Sequence, residues 1–94
     1  MKIEGFIWYR DVIGKIFRKH NVSRKEVEQV FSNKPKFKFI EKGRVKKEHL
    51  YSACGQTYAG RYLTVLFIYK RTKQALIITA RDMDSKERKS YGKK

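Results

Sequence analysis

The chain is poor in several residues that often identify a protein class: its 94 residues include one cysteine, one proline and two histidines. Its longest apolar run, at 62–69, has the length of a strand, whereas a membrane helix needs roughly 20 apolar residues. No membrane span and no signal peptide are therefore predicted. A lone Cys54 excludes an internal disulfide, so we interpret it as a small packing residue and expect a reducing, cytoplasmic location.

Familiar catalytic signatures are also scarce. The sequence has no CxxC or HxxxH spacing and no glycine-rich phosphate loop. Its carboxylates are few and mostly adjacent to lysines, which disfavours a hydrolase built on paired carboxylates. We therefore predict no metal site and no cofactor.

Positive charge dominates what is present. Twenty-four Lys and Arg stand against nine Asp and Glu, for a net charge of +15. Self-repulsion of that size destabilises a small compact fold, so it indicates a polyanionic or acidic partner, with nucleic acid first and an acidic protein second. A surface that is charged only for solubility is the alternative. The length fits one domain over residues 1–94, and no membrane partner is expected.

The N-terminal third predicts a strand and two helices. The strand is placed at 3–9, and apolar residues then recur at helical spacing over 11–20. Asn21 can take the left-handed conformation that ends a helix. Ser23 and Glu26 have the spacing of a capping box, which predicts the start of the second helix.

After Pro35 the apolar pattern has a period of two, as in β-strands. Phe37 and Phe39 share one face of the first such segment, and we predict that they are buried. Four strands of an antiparallel meander are predicted, at 36–40, 49–55, 61–70 and 75–81. The third is apolar on both faces and is predicted to be central.

A short C-terminal helix follows, with Asp84 and Glu87 spaced for a second capping box. The predicted fold is therefore a small α+β domain. It comprises an N-terminal strand, two helices, a four-strand antiparallel meander and a short C-terminal helix. We expect the helices to cover one face of the sheet and the other face to be partly open.

The junction between the last strand and the last helix is the first candidate site. Arg81 ends the strand, while Arg88 and Tyr91 are three residues apart and so share a helix face. An arginine fork and a tyrosine hydroxyl placed together can bind a phosphate. The structural alternative is that Arg88 pairs with Glu87 or Asp84, and that Tyr91 packs on the sheet.

Cleavage of RNA is compatible with this composition. The substrate supplies its own nucleophile, the 2′-hydroxyl, so the protein needs only a base, an acid and positive charge. Basic surfaces with interleaved aromatic residues also suit single-stranded RNA, whose exposed bases stack on aromatic rings. Many RNA-binding domains that are not enzymes share this composition, so it does not by itself predict an activity.

The segment 34–47 carries seven Lys or Arg against one Glu. It is predicted to follow a phosphate backbone or an acidic partner, and its alternative is a solvated hairpin. The residues predicted to contact RNA are Lys19, Lys36, Lys38, Arg44, Lys46, Lys47, Lys70 and Arg71.

Four segments together resemble the BrnT family of type II toxins. They are FIWYRD at 6–11, KHNVSRKEVEQVF at 19–31, CGQTYAGRYLTVLF at 54–67 and LIITARDMDSKERKSY at 76–91. The resemblance implies a fold similar to RelE-type toxins and an endoribonuclease that cleaves mRNA and arrests growth. It also implies a cognate antitoxin of the ribbon-helix-helix type, with operator DNA bound only through the toxin–antitoxin complex.

The resemblance also suggests site residues. The polar residues that recur in the family fall here on Lys19, His20, Arg61, Arg81, Glu87, Arg88 and Tyr91. By that carry-over the catalytic candidates are His20, as general acid or base, together with Arg61, Arg81, Arg88 and Tyr91. Arg61 is expected beside the last three. One departure is Leu50, which stands where the family commonly has an arginine.

Two other functions remain open from the residues. The chain is alternatively a non-catalytic basic domain that binds nucleic acid, or an interaction module for an acidic partner.

Overall fold

The computed structural model describes residues 1–92. Its elements are β1 (Gly5–Ile7), α1 (Arg10–His20), α2 (Arg24–Ser32), β2 (Lys36–Glu41), β3 (Leu50–Gln56), β4 (Tyr62–Tyr69), β5 (Gln74–Asp82) and α3 (Ser85–Gly92). The predicted α+β class and element order are confirmed. None of the helices in these residues is long and apolar enough to cross a membrane.

The strands form one mixed sheet in the order β1-β5-β4-β3-β2. As predicted, β2 to β5 are an antiparallel meander with β4 at the centre. The N-terminal strand extends the sheet by pairing parallel to β5. It is shorter than the predicted 3–9, because it pairs only along the first three residues of β5 and α1 begins soon after it.

Local sequence signals set both ends of the α1–α2 turn. Asn21 has φ 53° and ψ 39°, and its N–H donates to the carbonyls of Ile16 and Phe17. In α2 the predicted capping box is present, since Ser23 Oγ accepts from the Glu26 N–H at 3.1 Å and the Glu26 carboxylate accepts from the Ser23 N–H at 3.0 Å. The chain therefore reverses where the local pattern predicted it.

Both long helices cover the same face of the sheet, and the core lies between them and β3, β4 and β5. Phe31 of α2 is in contact with the rings of Phe6, Phe37 and Phe67. The fully buried side chains are chiefly aliphatic: Ile16, Val22, Val27, Val30, Leu63, Val65 and Ile77. This packing anchors both helices and leaves the opposite face of the sheet without them.

The prediction that Phe37 and Phe39 are both buried was wrong for Phe39, which is 52% exposed. The reason is that β2 is an edge strand, so only the end nearer α2 is covered. Phe39 instead forms T-shaped ring pairs with Tyr51 and His49, at centroid distances of 5.8 and 5.7 Å.

The face of the sheet away from α1 and α2 is called the open face below. Strand register sets Arg81, Thr64, Cys54 and Lys36 side by side across it, from β5 to β2. α3 lies over this face at its Arg81 end. The open face is therefore a shallow surface of mixed polarity with a short basic helix along one side.

Candidate nucleic-acid interface

A cleft of about 710 Å³ lies on the open face, between the sheet and α3. Alternate residues of β3 and β4 form its floor, because side chains on a strand alternate between faces. The charged residues that line it are Lys36, Lys38, Arg81, Asp84, Lys86 and Glu87. Four of these are cationic and two are acidic, so the cleft carries a positive surplus suited to an anion.

A two-point ion pair holds Arg81 in place. Its Nη1 and Nη2 donate to the two carboxylate oxygens of Glu87, at 2.7 and 2.9 Å. Glu87 also accepts from the Asp84 N–H at 2.9 Å, while the Asp84 carboxylate accepts from the Glu87 N–H at 2.8 Å. The predicted capping box of α3 is confirmed, and Glu87 joins that cap to the end of β5.

Hydrogen bonding keeps both partners of this pair charged. The hydrogen bond from Arg81 lowers the pKa of Glu87, and the same bond raises the pKa of Arg81. Three of the five guanidinium N–H groups of Arg81 are used, two by Glu87 and one by the carbonyl of Asp82. The Nε–H and one Nη2–H have no partner among residues 1–92, so Arg81 retains donors for a phosphate oxygen.

A second arrangement extends the cleft along α3. The guanidinium of Arg88 lies 3.7 Å from the ring centroid of Tyr62, and the rings of Tyr62 and Tyr91 form a T-shaped pair with centroids 6.0 Å apart. Lys36 Nζ lies 5.3 Å from the Tyr91 ring centroid and donates to the Tyr91 carbonyl at 2.7 Å. Two adjoining aromatic rings, with a cation at each end, thus form a continuous chain of contacts from β2 to α3.

These contacts decide between the two readings of the strand–helix junction. Arg88 does not pair with Glu87 or Asp84; Arg81 takes Glu87, and Arg88 stacks on an aromatic ring. Tyr91 packs against a sheet residue, as the structural alternative proposed, and it also lines the cleft. Sequence reasoning missed Tyr62, although the alternation of β4 already places it on the same face as Thr64.

Arg61 lies elsewhere, so the expectation that it stands beside Arg81 was wrong. Its guanidinium donates to the carbonyls of Asn21 and His20, at 2.6 and 3.0 Å. It also pairs with Asp82 at 2.8 Å and with Glu26 at 3.3 Å. Asp82 follows Arg81 in β5, and successive strand residues face opposite sides, so Arg61 belongs to the face that the helices cover.

The ion pairs of Arg61 stabilise this set of contacts. The hydrogen bond from Arg61 lowers the pKa of Asp82, and the same bond raises the pKa of Arg61. Its side chain is only 26% exposed, and it links the α1–α2 turn to the end of β5. The geometry is that of a structural clamp.

Lys19 and His20 are likewise separated from the cleft. They line a second cavity, of about 300 Å³, together with Lys15, Ile78 and Thr79. This cavity lies between α1 and β5, and β5 itself stands between it and the cleft. β1 pairs with β5 only up to Leu76, so the outer edge of β5 beyond that residue has no strand partner within residues 1–92.

The remaining predicted RNA contacts form a second basic area. The loop between β2 and β3 contains Arg44, Lys46 and Lys47, and the turn after β4 contains Lys70 and Arg71. Glu48 ties the two together by accepting from Lys70 Nζ at 2.7 Å and from the Arg71 N–H at 3.1 Å, and these bonds lower its pKa. Antiparallel register places both segments at the end of the sheet away from α3.

The predicted site residues therefore fall into three groups. Four of them line the cleft, and Arg88 lies beside it on α3: the four are Arg81, Tyr91, Lys36 and Lys38. Lys19, His20 and Arg61 lie around α1, and the loop residues lie at the far end of the sheet. Cys54 is half-buried in the cleft floor, with its Sγ 3.4 Å from Thr64 Oγ1. Within residues 1–92 no three His, Cys, Asp or Glu side chains are grouped as metal ligands.

Comparison with known proteins adds independent information. The profile of the family described as "Ribonuclease toxin, BrnT, of type II toxin-antitoxin system" matches residues 13–87, which is most of the chain. No curated protein sequence gives a significant match. The crystal structure of the ribonuclease toxin BrnT of Brucella abortus is similar, with a TM-score of 0.60 and 16% identity over 86% of this chain and 97% of that one. At that identity the structural likeness shows a shared fold.

Proposed function

The chain belongs to the BrnT family of ribonuclease toxins of type II toxin–antitoxin systems, and from that premise we propose that it cleaves mRNA in the open-face cleft without a metal ion. The observation that carries the proposal is the fixed guanidinium of Arg81, which retains two donors in a cationic cleft. A rigid donor at the site of developing charge needs little reorganisation when the transition state forms.

The proposed reaction uses the RNA itself as nucleophile. The 2′-oxygen attacks the adjacent phosphorus as its proton is removed, and the bond from phosphorus to the 5′-oxygen breaks as that oxygen gains a proton. The products are a 2′,3′-cyclic phosphate and a 5′-hydroxyl. Arg81, with Lys38 and Lys86 along the cleft, would stabilise the negative charge on the phosphorane, and Tyr91 would hydrogen-bond or stack beside it.

For proton transfer we propose His20 as the general acid or base. An RNA strand that crosses the unpaired outer edge of β5 would pass from the cleft to the cavity of Lys19 and His20. This path would bring both groups to one strand although they lie on different sides of β5. Arg61 would support the path by holding the carbonyl of His20 in position.

The family assignment also supports a protein partner. We propose that a cognate antitoxin of the ribbon-helix-helix type neutralises the toxin in the cytoplasm, and that only the complex of the two binds operator DNA. The net charge of +15 suits both an acidic antitoxin segment and RNA. Co-expression with a small ribbon-helix-helix protein encoded beside the toxin should restore growth of cells that the toxin alone arrests.

The decisive experiment is incubation of single-stranded RNA with the protein in excess chelator. Wild type should cut the RNA and leave cyclic phosphate ends, whereas Arg81→Ala should cut about 10²–10³ times more slowly, the usual cost of losing one transition-state donor. Arg24→Ala is the matched control, because Arg24 is an exposed, ion-paired arginine on α2, which covers the other face of the sheet.

Two results would replace the proposal. If wild type binds RNA and leaves it intact, the chain is a non-catalytic nucleic-acid-binding domain. If it also fails to bind RNA at low salt, where phosphate contacts are strongest, the acidic-partner module is favoured.

A further inference from the structure

The stack of Arg88 on Tyr62 joins α3 to the start of β4. Arg88 is exposed on α3, and within residues 1–92 its side chain makes no hydrogen bond and no ion pair. Its guanidinium carbon nevertheless lies over an aromatic ring, at 3.7 Å from the centroid. Because Arg88 is exposed, its side chain remains accessible to solvent despite this contact.

The position of this stack relates it to the cleft. Tyr62 begins β4 on the same face as Thr64, which lies in the cleft floor two residues later. The Tyr62 ring also forms a T-shaped pair with Tyr91, which lines the cleft. A strand of RNA with its phosphate at Arg81 would therefore have its neighbouring nucleotide near Arg88.

We propose that Tyr62 and Arg88 form a platform on which one unpaired base of the RNA stacks. The inference rests on the proposed function for its ligand, the RNA in the cleft, but it does not depend on cleavage. A planar guanidinium stacks well on bases, and an aromatic ring beneath it fixes the plane in advance, so less conformational freedom is lost on binding. Binding of a phosphate uses the edge of the guanidinium and does not require such a ring.

A non-cleavable RNA tests the platform separately from catalysis. Affinity is measured for a short 2′-O-methyl RNA and for a set of the same oligonucleotide with a single abasic nucleotide moved along it. Tyr62→Leu should weaken binding of the intact RNA by at least about fivefold, the lower end of what stacking of one base contributes. Tyr62→Phe should bind as wild type does, because the ring is retained.

One abasic position should reproduce the loss. At that position the wild-type affinity should fall by a similar factor, and Tyr62→Leu should then cause no further loss, because both changes remove the same contact. Arg88→Lys keeps the charge and removes the plane, so it should lose the sensitivity to that abasic position while the salt dependence stays the same. Arg88→Lys is a conservative change at an exposed helix position, so it still tests the platform if Tyr62→Leu does not fold.

Matched controls are available on other surfaces. Tyr58→Leu makes the same change at a tyrosine that is 67% exposed in the turn before β4, and Arg24→Ala removes an arginine that lies over Trp8. Neither should alter RNA affinity.

Three outcomes would overturn the inference. If substitution of Arg88 weakens the binding of every oligonucleotide equally and also reduces the salt dependence, Arg88 binds only phosphate. A lower unfolding midpoint with unchanged RNA affinity would mean that the stack only fastens α3, and absence of RNA binding would remove the ligand. If RNA is not cleaved, but Tyr62→Leu and one abasic position remove the same contact, the platform is supported and the proposed function fails. If RNA is cleaved and neither change weakens binding, the proposed function is supported and the platform fails.

Discussion

The Arg81 guanidinium and the Glu87 carboxylate meet in two parallel hydrogen bonds, of 2.7 and 2.9 Å, across the junction of β5 and α3. The same carboxylate closes the capping box of α3 through the Asp84 N–H. One acidic side chain therefore holds the helix against the sheet and aims the arginine that the proposed chemistry needs. Stability and the proposed activity therefore depend on the same ion pair.

Glu87→Gln should make stability less dependent on pH. The pKa of Glu87 is lowered in the folded protein, chiefly by the hydrogen bond from Arg81. A lowered folded-state pKa stabilises the fold fully above the unfolded value of about 4.3 and progressively less as the pH falls through the folded value. Urea unfolding should show Glu87→Gln to be less stable than wild type at neutral pH, with the gap closing in acid.

The control for that comparison is Glu41→Gln, an exposed carboxylate at the end of β2. Its free energy of unfolding should equal that of wild type at every pH. A stability gap for Glu87→Gln that stays constant down to acid pH would argue against the ion pair as its source.

Arg61→Ala should be markedly destabilising. The change removes charge-assisted hydrogen bonds to two carbonyls and to the carboxylates of Glu26 and Asp82. Hydrogen bonds to charged groups contribute about 1.5–3 kcal/mol each, so we expect a loss of roughly 2–3 kcal/mol after the exposed groups regain water. Chemical denaturation measures the free energy of unfolding, and Arg61→Lys should have a stability between those of wild type and Arg61→Ala. An Arg61→Ala protein that is as stable as wild type but inactive would instead point to a role in the reaction.

Lys38→Ala should reduce the salt dependence of RNA binding. Lys38 is exposed on β2 and lines the cleft, so it is expected to contact one phosphate. For single-stranded nucleic acid each lost contact lowers the slope of log affinity against log salt by about 0.7. Lys25→Ala, on α2 on the covered side of the sheet, should leave the slope unchanged. Equal slopes for both variants would place the RNA outside the cleft.

Gly55→Ala should destabilise the protein by about 1–3 kcal/mol, the usual range for overpacking. A Cβ at this position in β3 would lie 3.1 Å from Val30 Cγ1 and 3.4 Å from Pro35 Cα. Thermal unfolding checks the change against Gly92→Ala, whose added Cβ would have no heavy atom within 4 Å. An unchanged midpoint for Gly55→Ala would show that α2 can move away from the sheet at little cost.

The elements were predictable because their signals are local. The capping boxes at Ser23 and Asp84 and the left-handed Asn21 each depend on residues within a few positions, and all three are present. Where the prediction failed, a distant neighbour decided the outcome. Phe39 is exposed because its strand lies at the sheet edge, which no pattern within β2 reveals.

The candidate site was predictable only in part. The spacing of Arg88 and Tyr91 indicated one helix face, and both do lie beside the cleft. The partner of each arginine could not be read from spacing, because Arg81 selects Glu87 across a chain turn while Arg61 reaches His20 from 41 residues away. Tyr62 could be recognised as a candidate only in the tertiary structure, in which α3 lies over the sheet and Arg88 and Tyr91 contact the Tyr62 ring.

The sequence by itself determined the charge, the order of the helices and strands, and the family, because composition, periodicity and caps are properties of neighbouring residues. The tertiary structure decided which cations share a surface. Alternation of side chains along β5 sends Arg81 to the open face and Asp82, with its partner Arg61, to the helix-covered face. Two residues adjacent in the chain therefore have different surroundings: within residues 1–92 Arg81 keeps unpaired donors at the cleft, and Asp82 pairs with the arginine that links the α1–α2 turn to β5.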